Sequence, residues 1–472
     1  MKDVILRIDA PAIADGSGFS ASPGSMLLSL PHPRDLWAPP PRRARRVLAV
    51  GLPADVARHP AHAGAVVARL PGSLLIPGLV NAHTHLDLTH IGPRPHDADA
   101  GFVPWIDMIR RDRLHHHAQI AASVRRGIDL SLAGGTAALG DIAGAPRGVP
   151  SLAPLAELRD SALLGVSFLE FFSRGKFRRQ GLDAGLDTLR SGAPAAPASN
   201  NPILPPVRLG LQPHAPNTVC LSSYAAATAE ACRLRAPLCT HLAETPEERR
   251  FIARADGPQR DLLESLGLWD DSANDDIGAG LHPVEFLAPV LDAAHQAGAP
   301  YLVAHVNDAP DQAIEILART RAAVAYCPRA SAYFGVDREF GPHRYRTMLD
   351  AGVPVALGTD SIVNLPTSAS DGASGGISVW HEAQFLYRRD AADPTLLLRM
   401  ATLNGARALG LPESLFRFDP LNESFLAGLV AISPETPCSD GDMLRFALNQ
   451  PTRIQLLSDR NLFELAGIVP AA

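Results

Sequence analysis

Residues 74–90 read LLIPGLVNAHTHLDLTH, an apolar run that ends in two histidines separated by one residue. The run over 74–80 is interrupted only by Pro77 and Gly78, and it predicts a buried strand. Residues i and i+2 of a strand share a face, so His83 and His85 aim their imidazoles at one point. Two converging neutral imidazoles suit a divalent metal. Two hydrogen-bonded histidines at a strand end would have the same spacing, so the rest of the chain must decide.

Working outward, eight short apolar runs lie at 74–80, 136–142, 163–172, 207–214, 237–242, 301–306, 322–327 and 353–358. Amphipathic stretches such as DQAIEILARTRA and SLAPLAELRDSALL separate them. Strand and helix alternating eight times is the pattern of a (β/α)8 barrel, an α/β fold whose chemistry gathers where strands end and βα loops begin. The flanks differ. Before residue 74 come DVILRI, SMLLSL and RRVLAVG; after about 412 come AGLVAI, MLRFAL and TRIQLLS, all short and strand-like. The expected organisation is therefore a barrel over 74–411 and a small β-sandwich built from both chain ends, 1–73 and 412–472. The Ala/Pro-rich stretch 191–206 reads as a solvent loop, and TSASDGASGG at 367–376 as a loop over the barrel mouth.

The strand ends answer the opening question. The first carries His83 and His85, the fourth His214, the fifth His241 and Glu244, the sixth His305 and the eighth Asp360. All fall at the C-terminal ends of expected barrel strands, a phase that scattered core histidines have no reason to keep. PGLVNAHTH, HLAE and GTDS, in this order and spacing, resemble the amidohydrolase superfamily, and most of all its chlorohydrolase and nucleoside-type aminohydrolase branch. The resemblance extends over nearly the whole chain. FVPWIDMIRR, AETPEERRFI, CPRASAYFG and LLRMATLNGARALGL are similar to aminofutalosine deaminase-like sequences.

That resemblance implies a site. His83, His85 and His241 would supply nitrogen ligands and Asp360 a carboxylate to one divalent ion per chain, zinc first and iron(II) second, with a position left for water. The ion would bring the water's ionisation towards neutral pH. Glu244 would move the water's proton to the leaving group, and His305 and Asp360 would orient the attacking oxygen. Glu244 lies three residues beyond His241, so the chain must turn at the strand end to bring it inward. A rival two-ion architecture needs a bridging lysine at a central strand end. The fourth strand offers His214 instead, which becomes a substrate-binding residue, and Lys176 lies beyond the third strand after Gly175. Trp105 and the MIRRDR arginines after the first strand, and Arg329, Tyr333 and Phe334 after the seventh, are expected to wall the pocket, with Glu170 a further pocket residue. Trp105 and Arg329 are counted with His214 as substrate-binding. Cys239 is expected to pack in the barrel, and the histidines at 115–117, on an expected helix, to face solvent.

The reaction these residues imply is hydrolytic removal of ammonia from an amino-substituted heterocycle such as an adenine nucleoside derivative. The same ligands would also serve hydrolysis of a cyclic amide or urea, or of a ring-bound chloride. Bulk properties are compatible with a small-molecule enzyme. A net charge of −6 over 472 residues argues against a nucleic-acid footprint. No apolar run reaches membrane-spanning length, the N-terminus lacks a signal-peptide pattern, and mean hydropathy is +0.03. Five cysteines without CxxC spacing predict reduced thiols and a cytoplasmic setting. Many similar enzymes form dimers or larger rings, so a homo-oligomer is compatible with this reading.

Overall fold

The computed structural model describes residues 3–32, 44–192, 205–365, 376–438 and 442–468. Eight strands form one parallel sheet in sequential order: β1 (Leu79–Thr84), β2 (Thr136–Ala143), β3 (Leu164–Phe171), β4 (Arg208–Pro213), β5 (Leu238–Leu242), β6 (Tyr301–His305), β7 (Ala323–Tyr326) and β8 (Val355–Leu357). The sheet closes where the amides of Thr359 and Asp360 donate to the His83 carbonyl (3.0 and 3.1 Å) and the His85 amide donates to the Asp360 carbonyl (2.8 Å). Asn81 pins the same seam, its Nδ2 donating to Thr359 Oγ1 (2.8 Å) and its Oδ1 accepting from the Thr359 amide (3.1 Å). The barrel is thereby closed beside His83, His85 and Asp360, three of the expected site residues.

The helices follow from their periodicity. Asp311–Thr320 buries Ala313, Ile314, Ile316, Leu317 and Thr320 and exposes its other face. One cluster gathers Val80, Ala82, Val166, Phe168, Cys239, Leu302, Ala325 and Ala356 with Leu403, Leu409 and Phe416. Alternate residues of the strands thus form an apolar plug with the segment after residue 400, and Cys239 packs in it as expected. Polar groups are left to the other end, where the strands finish.

The run over 74–80 is two strands, not one. Leu74–Pro77 pairs with Leu429–Pro434 and Ala12–Ala14 in the sandwich, while β1 starts at Leu79. Gly78 is the crossing point. A Cβ there would lie 2.4 Å from Ala137 Cβ, and the Gly78 amide donates to the Gly428 carbonyl (2.9 Å). The sandwich has two five-stranded sheets, and each mixes the chain ends. Val4–Ala10, Gly24–Leu30, Arg45–Gly51 and Val66–Arg69 join Ser424–Leu426, and Ala12–Ala14, Ser20–Ala21 and Leu74–Pro77 join Leu429–Pro434 and Thr452–Leu456. Leu6, Ile8, Met26 and Leu28 of one sheet pack on Ile13, Leu75 and Ala431 of the other.

MLRFAL, expected as a strand, is the helix Met443–Asn449. The Asp442 side chain caps it by accepting from the Arg445 amide (3.1 Å), and Met443, Ala447 and Leu448 form its buried face. Of the three adjacent histidines only His117 is helical, with His116 at the N-cap, and all three are exposed. All but the last residue of the loop expected over the mouth, 367–376, and most of 191–206 lie outside the described residues. Among the described residues no helix is long and apolar enough to cross a membrane.

Candidate active site

The ends of β1, β5, β6 and β8 bring His83, His85, His241, His305 and Asp360 together. His85 Nε2 and His241 Nε2 are 3.3 Å apart, and Asp360 Oδ1 lies 3.7 Å from His83 Nε2 and 3.5 Å from His85 Nε2. The His83 ring centroid is 5.1 Å from those of His85 and His241 and 5.3 Å from that of His305. His241 Nδ1–H donates to the His214 carbonyl (3.0 Å), which leaves Nε2 as a bare lone pair aimed at the cluster. Both ring nitrogens of His83 and Nε2 of His305 are buried without a hydrogen-bond partner.

Buried polar atoms left unpaired are costly, and a cation among these nitrogens would satisfy them. Donor atoms of His83, His85 and His241 lie within 4.8 Å of one another, as do those of His83, His305 and Asp360. Three imidazole nitrogens and one carboxylate around a common point fit one divalent ion with a position to spare.

Backbone geometry turns these groups inward. Ala243, His305, Val306 and Asp360 all have left-handed φ (51°, 73°, 50° and 56°), which non-glycine residues rarely adopt. Such conformations cost about 1–3 kcal/mol each and collect at functional sites. The left-handed Ala243 provides the turn that Glu244 required. Glu244 Oε1 stands 3.6 Å from His305 Nε2. Its backbone is clamped: the Glu248 carboxyl accepts from the amides of Ala243 (3.0 Å) and Glu244 (2.8 Å), and Asn307 Nδ2 donates to the Glu244 carbonyl (3.0 Å). Asn364 Nδ2 donates to Asp360 Oδ2, leaving Oδ1 towards the imidazoles.

Burial dominates the electrostatics. It holds the pKa values of His83, His85, His241 and His305 below the ordinary imidazole range, with neighbouring imidazoles adding to the effect at His83 and His85. Neutral imidazole is the form that ligates metal. Burial first, and then the charges of Asp360, Glu248 and Glu247, push Glu244 well above the carboxylate range; burial also raises Asp360. A cation held among these groups would favour the ionised form of both carboxyls.

The expected substrate-side residues divide. His214 is half-buried beside the cluster, its ring centroid 5.0 Å from that of His241, with Nδ1 2.7 Å from Thr218 Oγ1 and Nε2 3.9 Å from Glu170 Oε1. Arg113, the last arginine of MIRRDR, donates to Asp87 Oδ2 through Nε (3.1 Å) and Nη2 (2.9 Å) and lies 3.6 Å from Glu170 Oε2. Trp105 joins an aromatic wall with Phe102 (5.2 Å) and Phe334 (5.2 Å), which continues through Tyr333 to His96. Arg329 does not face open space. It is buried against Glu382, its Nε donating to Oε1 (2.6 Å) and its amide to Oε2 (2.9 Å), with Nη2 on the Ser378 carbonyl (3.4 Å).

Sequence reading missed several neighbours of the site. Thr245-Pro246-Glu247-Glu248 has the capping-box spacing, and Thr245 Oγ1 indeed accepts from the Glu248 amide (3.3 Å), so Glu248 was findable. Gln212, whose amide nitrogen is 3.1 Å from His241 Nδ1, lies on β4 two residues before His214, which follows the strand's end. Asp87, Asn364 and Glu382 carried no signal, because their partners are brought to them by tertiary folding.

Residues 74–415 match the amidohydrolase family. The aminodeoxyfutalosine deaminase of Deinococcus radiodurans is 30% identical over 385 residues, 77% of this chain and 79% of that one. The 5-methylthioadenosine/S-adenosylhomocysteine deaminase of Moorella thermoacetica is 30% identical over 350 residues, 72% of this chain and 69% of its own. Among solved structures, Helicobacter pylori aminofutalosine deaminase shares the fold with a TM-score of 0.69 at 16% identity, covering 96% of this chain and 98% of that one.

Proposed function

The chain belongs to the amidohydrolase family, and from that premise we propose that it is a metal-dependent aminohydrolase releasing ammonia from an adenine-derived nucleoside. The observation that carries this reading is the convergence of His83, His85, His241 and Asp360 on one point with Glu244 and His305 beside it. Two relatives of 30% identity are both deaminases by name, one of them acting on 5-methylthioadenosine and S-adenosylhomocysteine, and they support the leaving group.

His83, His85, His241 and Asp360 would hold the ion; the nitrogen-rich donor set favours zinc and accommodates iron(II). When bound, the ion supplies Lewis acidity that lets water ionise near neutral pH. Glu244, ionised in the loaded site, accepts a proton from the attacking water and passes it to the exocyclic nitrogen. The C–O bond forms first by addition to the sp² ring carbon, the C–N bond then breaks, and ammonia leaves. His305 Nε2 and Asp360 orient the water towards the ring carbon. His214 meets the substrate, and Trp105 contributes to the aromatic wall at the mouth. Arg329 acts through Glu382 as a support of the loop after β7. Five free cysteines support placing the protein in the cytoplasm.

The test is an ammonia-release screen of purified, zinc-loaded protein. It would include adenosine, methylthioadenosine, S-adenosylhomocysteine, aminodeoxyfutalosine, guanine, cytosine and amino- and chloro-s-triazines. Ammonia from an adenine nucleoside supports the reading. Turnover confined to chloride, amide or cyclic-urea substrates overturns it.

A further inference from the structure

We propose that His343 is a positioning residue for His305, an imidazole that spans a break in the barrel and sets where the His305 ring stands. The ladder between β6 and β7 ends at the pair Ala304–Ala325. Beyond it, His305 and Val306 are both left-handed (φ 73° and 50°), and a β-branched residue there is a genuine outlier. This turns the His305 carbonyl out of the ladder, where it accepts the Nε2–H of His343 (3.0 Å). His343 arrives from outside the barrel, between the helices Asp337–Phe340 and Tyr345–Asp350. Its ring stacks on Tyr326, the last residue of β7, with centroids 3.7 Å apart and planes 13° apart. One side chain thus rests on the end of β7 and donates to the end of β6, filling the gap where the two strands part.

The protonation state of His343 suits this task. Burial lowers its pKa to about 4, so at neutral pH the ring carries one proton, and the carbonyl acceptor places it on Nε2. The strain at His305 persists only if its surroundings over-determine it, and the His343 bond is a contact made to the strained peptide itself. The loop that follows is tied to the general base: Asn307 Nδ2 donates to the Glu244 carbonyl, and Ser331 Oγ donates to Asn307 Oδ1 (2.7 Å). A shift of the His305 peptide therefore changes the 3.6 Å approach of His305 Nε2 to Glu244.

The inference rests on the proposal that His305 orients the attacking water. His343→Phe keeps a flat ring over Tyr326 but has no donor, and His343→Gln keeps a donor without the ring. Steady-state kinetics, metal content, thermal midpoint and crystal structures of both are compared with His305→Ala. The Phe variant is expected to lose roughly 10–100-fold in kcat, the usual worth of a residue that orients an active group, with KM and metal content near wild type. The Gln variant is expected to recover most of that loss, and the Phe structure to show the His305 peptide rotated. Should the Phe variant not fold, His343→Met gives the donor-free comparison. Wild-type kcat without the donor, equal losses in the Phe and Gln variants, or an unmoved His305 in a slowed variant each overturns the inference. If His305→Ala itself keeps kcat, the reading of His305 fails instead, and the two failures are told apart.

Discussion

Exchanging Glu244 for Gln gives the sharpest test of the catalytic assignment. The variant keeps the shape of the side chain and removes its ability to accept a proton. Its place is held by the backbone: the Glu244 amide donates to Glu248 Oε2 (2.8 Å) and its carbonyl accepts from Asn307 Nδ2 (3.0 Å), bonds that the glutamine variant would retain. The change is therefore confined to proton transfer, worth about 10²–10⁴-fold in rate. At ~1.4 kcal/mol per tenfold, that is about 3–5 kcal/mol of transition-state stabilisation. The loss should fall on kcat, with KM little altered, because the group matters chiefly in the transition state. Metal content should stay at the wild-type level, since the histidines and Asp360 are untouched. Burial raises the Glu244 pKa, so the metal-free fold loses stability as pH rises above the ordinary carboxylate range, and the loss is complete above the folded pKa. Metal-free Glu244→Gln should accordingly be at least as heat-stable as wild type at high pH. Near-normal turnover with normal metal would refute the assignment and leave His305 and Asp360 as the remaining proton carriers.

Elemental analysis of purified protein should find about one zinc or iron per chain, because the donor set fills one site, and His241→Ala should remove most of it; two tightly held ions would contradict the single-ion geometry. Arg329→Ala should lower stability by about 3–5 kcal/mol, read from denaturant unfolding, because it strands Glu382 as an unpaired buried acid. A joint Arg329→Met, Glu382→Leu change should restore much of that stability, and a mild effect of Arg329→Ala would refute the supporting role of the buried pair. Thermal midpoints should fall as pH drops from 6.5 towards 4: His343 and His381, held at about 4 and about 3, stay neutral in the fold while the unfolded chain takes up protons. His343 alone contributes about 3 kcal/mol over that range, at ~1.4 kcal/mol per pH unit, so His343→Gln should flatten the acid slope.

The barrel and the gathering of histidines at its mouth were legible because both are written locally. Strand and helix periodicity repeat eight times, and the pair His83 and His85, then His241, His305 and Asp360, each close an apolar run, so the phase of a strand end already says where the side chain goes. Glu244 was marked only by the HLAE resemblance, since strand phase alone would turn it to the opposite face, and the two-ended sandwich followed from short strand-like pieces on either flank. The sequence alone did not show that Leu74–Pro77 belongs to the sandwich, since a strand split at Gly78 and an unbroken one have the same apolar run; packing against Ala137 and Gly428 decided it. Nor could periodicity reveal that MLRFAL is capped as a helix by Asp442, or that Arg329 is consumed by Glu382, 53 positions away. The same holds for His343 on the His305 carbonyl, 38 positions distant. Side chains that act on a neighbouring strand end through space leave no spacing to read, because the contact is set by how loops return over the barrel and not by the period of any one element.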